Sequence, residues 1–144
     1  MKVLMLLTLA LSFGAFAKTP ASYEVTVNGT DKDACIKELI STVLKSEAPN
    51  MTAVVNTIVK KKPSWWYLGK RNLTLTTATG ETLTGFIYPD IDTNRSTNTV
   101  TCRLLAADCN GTIMFRLLDS TGNRLVEVYA EDDQSQCTEV GPIN

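Results

Sequence analysis

The eleven residues NMTAVVNTIVK, Asn50 to Lys60, decide how many helices this chain has. Met51, Val54, Val55, Ile58 and Val59 fall at the spacing of one helix face, and Asn50 stands where an N-cap belongs. The same stretch is rich in β-branched side chains, which are stiff in a helix and pack well on a pleated surface. The spacing favours a second helix across 50–62; a strand there would leave a fold with a single helix.

The segment before it has one periodicity only. In TDKDACIKELISTVLKSEAP, apolar residues at 36, 39, 40, 43 and 44 mark one face of a helix. Thr30 followed by Asp33 predicts a capping-box-like start. Lys45 suits the negative end of the helix dipole, and Pro49 predicts the stop. Upstream, Ser22 to Asn28 alternates apolar and polar residues and runs into Asn28-Gly29, the pattern of a short strand and a turn.

Beyond Asn72 the period changes from 3.6 to 2. Asn72 to Ala78 and Thr82 to Tyr88 alternate about Thr79-Gly80-Glu81, which predicts a hairpin. Thr99 to Asp108 and Thr112 to Leu118 flank Asn110-Gly111, a dipeptide suited to a type I′ turn. Asp119 to Asn123 reads as a turn, Arg124 to Ala130 as a further strand, and the tail from Glu131 as irregular. The expected class is α+β: an antiparallel sheet, a meander of hairpins, with one or two N-terminal helices packed on one face.

The first seventeen residues place one cation, Lys2, before an apolar run and close on Ala15-Phe16-Ala17. That layout predicts a secretory signal peptide cleaved after Ala17 and a single domain over 18–144. The expected location is the periplasm or the extracellular space. No later stretch is apolar enough for a transmembrane anchor. In an oxidising compartment the four cysteines, Cys35, Cys102, Cys109 and Cys137, read as two disulfides. A zinc site would need Cys pairs at closer spacing or His partners, and the chain has no His; no metal or cofactor is expected. If Asn110-Gly111 closes a hairpin, Cys102 and Cys109 lie about 23 Å apart on one strand, too far to bridge. Cys35–Cys102 and Cys109–Cys137 are then the expected pairs. The rival, Cys102–Cys109 with Cys35–Cys137, needs the strand to break at Ala106-Ala107.

The absence of His removes the usual general base near neutral pH, and disulfides consume the thiols, so the composition leans away from an enzyme. The net charge is slightly acidic but unevenly spread. Lys18 to Arg71 carries nine cations against five acids, and Asn72 to Asn144 four against ten. An acidic total disfavours nucleic acid as a partner.

One stretch stands out as an interaction surface. KKKPSWWYLGKR offers Lys60, Lys61, Lys62, Trp65, Trp66, Tyr67, Lys70 and Arg71 within twelve residues. Lysines attract anions, and aromatic faces stack on rings or cations. The expected activity is binding of a protein or of an anionic or glycan cell-envelope component. Adjacent strand residues face opposite ways, so Trp65 and Trp66 cannot both be buried on one face of a regular strand.

Weaker candidates remain. Asp90, Asp92, Asn94 and Ser96 alternate oxygen ligands as a calcium loop does, but Arg95 and Thr101 replace the Gly and Glu that loop requires. Asp90/Asp92 and Glu131-Asp132-Asp133 are the carboxylate clusters on which a small Asp/Glu hydrolase could draw. Asn28, Asn50, Asn72, Asn94 and Asn110 begin glycosylation sequons. A protease inhibitor with one helix against an antiparallel sheet is a third reading, although the Gln-x-Val-x-Gly hairpin of cystatins is absent.

Overall fold

The computed structural model describes residues 23–60 and 69–137; the expected signal peptide lies outside them. Among these residues ten strands and one α-helix form a sheet-rich α+β fold. Strand β1 (Glu24–Asn28) leads to the helix α1 (Lys32–Glu47). Asp31, not Thr30, is its N-cap: its carboxylate accepts the Ala34 N–H at 3.1 Å. Asp33 is therefore a first-turn acid beside the positive end of the dipole, and not the partner of a Thr30 cap. The helix ends where the Ala48 N–H reaches back to the Leu44 carbonyl, just ahead of Pro49. Its buried face is Cys35, Ile36, Leu39, Ile40, Val43 and Leu44, matching the periodicity.

Residues 53–60 are a strand, β2 (Ala53–Lys60), which corrects the expected second helix. It pairs antiparallel with β3 (Arg71–Thr77), which pairs with β4 (Thr82–Ile87) in the expected hairpin. Further along come β5 (Asp90–Asn94), β6 (Thr99–Arg103) and β7 (Ala107–Asp108), then β8 (Ile113–Leu118), β9 (Arg124–Tyr129) and β10 (Glu131–Asp132). One five-stranded sheet has the order β2-β3-β4-β8-β9, and a three-stranded sheet the order β1-β6-β5. Their inner faces share one hydrophobic core with α1, and α1 packs against β1 and β6. Burial of each aliphatic side chain in that core is worth about 1.5–3 kcal/mol, set against the entropy of ordering the chain.

The long strand expected from Thr99 to Asp108 does not exist. β6 stops at Arg103 and belongs with β1 and β5. The chain then crosses to β7, which pairs in parallel with β10. So Asn110-Gly111 joins β7 to β8 but does not join two paired strands. Gly111 adopts φ +66° there, and the Asp108 carboxylate accepts the N–H groups of Asn110 and Thr112. The tail, read as irregular, contains β10 and a 3₁₀ turn at Gln134–Cys137.

The cysteines are paired Cys35–Cys102 and Cys109–Cys137, with Cα separations of 6.0 and 4.9 Å. The hairpin from which these pairs were expected is absent, so other geometry brings them together. Cys102 sits in the middle strand of the three-stranded sheet, in register with Val25 and Ile91, and Cys35 comes down onto it from the first turns of α1. Cys109 and Cys137 follow β7 and β10, whose parallel pairing delivers both chain ends to one place.

Gly85 fixes the centre of the larger sheet. It lies opposite Leu73 on one side and Leu117 on the other. A Cβ there would stand 1.9 Å from the Arg116 carbonyl oxygen. Only a residue with no side chain lets β4 and β8 approach in this way.

Candidate functional site

Of the eight expected contact residues, Lys61, Lys62, Trp65, Trp66 and Tyr67 lie outside the described residues. The other three diverge. Lys60 is exposed at the end of β2, an edge strand, in register with Arg71. Arg71 itself is only 7 % exposed, and its guanidinium donates to the Gly69 carbonyl at 2.6 Å. Burial pulls its pKa down, partly opposed by the charge of Asp33. Arg71 is therefore a buried side chain and not part of the expected surface. It stands on the core side of β3 because Arg71, Leu73 and Leu75 share one face.

Lys70 turns the other way. Its ammonium lies 4.6 Å from the centroid of Phe86 and 5.8 Å from that of Tyr88. Those rings meet edge to face at 5.7 Å, an arrangement favoured by their quadrupoles. Pairing register carries this cluster across the open face of the sheet: Asn72 stands beside Phe86, Phe86 beside Arg116, and Arg116 beside Glu127. The Arg116 guanidinium is 5.7 Å from the Phe86 centroid and makes a 2.7 Å ion pair with Glu127. Arg124 and the Tyr129 hydroxyl meet the other Glu127 oxygen at 3.4 and 2.8 Å. The Glu127 side chain is 13 % exposed. The hydrogen bond from Tyr129 holds its pKa below the ordinary value despite desolvation, with Arg116 adding to the effect. The same bond raises the Tyr129 pKa.

Phe86, Tyr88, Arg116, Glu127 and Tyr129 thus join Lys70 on one surface, and none was expected from sequence. The signal for Phe86 was present in the alternation Thr82, Thr84, Phe86, the outward face of β4; Tyr88, just beyond the strand, also packs against the core. Chemically this surface offers ring faces already covered by cations and a carboxylate already engaged by three donors. Its charged and aromatic groups are held in a fixed arrangement by one another, and no proton-transfer pair is assembled in it.

The other candidates separate. Asp90, Asp92 and Asn94 are on β5, and Asp90 makes a 2.9 Å ion pair with Arg103, which also reaches Glu24 at 3.7 Å. The alternation of oxygen atoms that resembled a calcium loop is the two-residue period of a strand. Among the described residues no group of three His, Cys, Asp or Glu side chains is placed to hold a metal. Asp133 is occupied by Ser135, and Glu131 and Asp132 are exposed on β10. A groove of about 300 Å³ between α1 and β2 is lined by Lys37, Ile40, Ser41, Leu44 and Ala53 to Val55, with no carboxylate. Of the sequon asparagines, Asn28, Asn50, Asn94 and Asn110 are exposed, and Asn72 is half-buried between Val59 and Phe86.

Among the described residues no helix is long and apolar enough to cross a membrane. Neither a protein family, nor a curated protein, nor a solved structure matches the chain.

Proposed function

We propose that the chain is an exported binding protein. Its contact surface is the Lys70, Phe86, Tyr88, Arg116 end of the open sheet face; Lys60, in register with the core-facing Arg71, lies on the other face. The ligand class this chemistry suits is an anionic glycan of the cell envelope: its negative charge meets Lys70, and its apolar ring faces lie beside the aromatic side chains that Lys70 covers. The observation that supports the reading most is the Lys70 ammonium held over two aromatic rings on an open sheet surface. A cation and an apolar ring wall are thereby presented side by side. The carboxylate-free groove beside α1 gives no support to the Asp/Glu hydrolase reading.

The test is retention on an immobilised anionic polysaccharide against a neutral one, for wild type, Lys70→Ala/Phe86→Ala and Trp65→Ala/Trp66→Ala. Selective retention of wild type, reduced severalfold in the Lys70/Phe86 variant, supports the proposal. Equal behaviour of folded wild type and folded Lys70/Phe86 variant on both matrices removes this surface from the functional account. The tryptophan variant reports separately on the neighbouring stretch.

A further inference from the structure

β2 is the first strand of the five-stranded sheet, and among the described residues no strand lies along its outer edge. Unpaired edges are usually blunted by charge, proline, bulges or a covering segment. Here Lys60, at the very end, is the strand's one charged residue, and Val54 and Val59 are, among the described residues, the two most exposed large apolar side chains, at 65 and 54 %.

The strand carries a bulge. Val55 pairs with Leu75 and Thr57 with Thr74, so Asn56 is an extra residue. Asn56 and Thr57 both reach the open face, where their side chains bond Thr76 and Thr74 of β3. Alternation resumes on either side: Val55 and Ile58 pack toward the core, while Val54 and Val59 face out. From Val54 to Val59 the pattern is out, in, out, out, in, out. It reads the same in both directions about the Asn56–Thr57 peptide.

That symmetry selects a partner. When a second copy is related by a two-fold axis perpendicular to the sheet, beside this peptide and midway between the two edges, Val54 meets Val59 of the second copy, Val55 meets Ile58, and Asn56 meets Thr57. In a regular strand such a register would oppose side chains on opposite faces, because the side-chain period is 2. The extra residue is what makes it allowed. Apolar residues meet apolar ones, and Lys60 falls opposite Ala53, so like charges do not face each other along the seam. Ile58 of the second copy, on the core side next to Val55, then lies at the groove walled by Ile40 and Leu44.

We propose that the chain forms a two-fold dimer through antiparallel β2–β2 pairing, joining two five-stranded sheets into one of ten strands. The interface is isologous, as closed dimers require.

Sedimentation equilibrium and light scattering on the intact, oxidised chain from about 1 to 100 µM test this, a range that brackets a micromolar dissociation constant. Wild type is expected to double in mass across the series. Val54→Lys/Val59→Lys, changed at two outward positions, is expected to stay monomeric throughout. Val54→Glu/Val59→Lys places opposite charges together in this register and is expected to restore the dimer. An equimolar mixture of Val54→Cys and Val59→Cys chains is expected to cross-link as a mixed pair, while Val54→Cys alone does not cross-link to itself. A wild-type chain that stays monomeric overturns the proposal, whether or not it captures some other extended peptide. So does a dimer unaffected by the two lysines, or self-linking by Val54→Cys.

Discussion

Gly85→Ala tests the geometry of the larger sheet more severely than any other single change. The added methyl would begin 1.9 Å from the Arg116 oxygen, 2.9 Å from its carbonyl carbon and 3.0 Å from the Leu117 Cα. Ordinary contact begins near 3.4 Å, so β4 and β8 must separate locally by about 1.5 Å. A 2.9 Å hydrogen bond stretched by that amount is lost. Losing one or two bonds costs about 1 kcal/mol each, and the overpacking itself about 1–3 kcal/mol. Alanine returns about 0.5–1 kcal/mol of chain entropy. The net expectation is a loss of about 3 kcal/mol, a large fraction of the 5–15 kcal/mol typical of a domain. For a chain of this size that lowers Tm by roughly 10–15 °C. The assay is thermal unfolding by circular dichroism with both disulfides intact, with Thr84→Ala on the exposed face as the control. A Tm for Gly85→Ala within about 3 °C of wild type, on the scale just used, would show that β4 and β8 do not approach as described.

Four further outcomes follow from particular residues. Replacing Cys35 and Cys102 by Ala opens a loop of sequence separation 67, with an expected cost of about 4 kcal/mol, against about 3.5 kcal/mol for the Cys109–Cys137 loop of 28. Cys35 and Cys102 are fully buried while Cys109 and Cys137 are half-buried, so mild reductant followed by alkylation and mass spectrometry is expected to label the second pair first. Asp31→Ala removes the helix N-cap and is expected to cost about 1 kcal/mol in denaturant unfolding, with Thr30→Ala costing much less. For Asp108, burial raises the pKa, but hydrogen bonds from Thr112, Gly111 and Asn110 outweigh it and hold the carboxyl below its ordinary value of 3.8. A lowered folded-state pKa gives stability that is present at neutral pH and is lost as pH falls below that value. The Tm gap between wild type and Asp108→Asn is therefore expected to narrow from pH 7 to pH 3; a gap that widens would refute the assignment.

The helix and the 71–87 hairpin were legible because their burial periods are undisturbed. The stretch 50–60 misled for a definable reason. The bulge at Asn56 moves the core-facing residues to 53, 55 and 58, and the exposed Val54 and Val59 complete a false helical set. Its β-branched composition was the truer signal. β5 was hidden because a hairpin edge strand reading Asp-Ile-Asp-Thr-Asn resembles a loop or an ion site. The strand from Thr99 was overextended because nothing at Leu104 to Ala106 punctuates the chain with Gly or Pro. At the candidate surface, Lys70 was found by its neighbours in sequence. Phe86, Arg116 and Glu127 come from three different strands and meet only through pairing register, which no local pattern encodes.

The two disulfides also define how the molecule is joined as a covalent graph. One ring closes over 35–102 and the other over 109–137; they neither nest nor interlock. The span between them, with Leu105 and Ala106 exposed, is a single-thread bridge. A cut inside either ring leaves the polypeptide in one covalent piece, whereas one cut in the bridge yields two closed pieces held together by β4 against β8 and by the shared core. The bridge is thus the natural place to divide the protein into complementing halves, each carrying its own cystine.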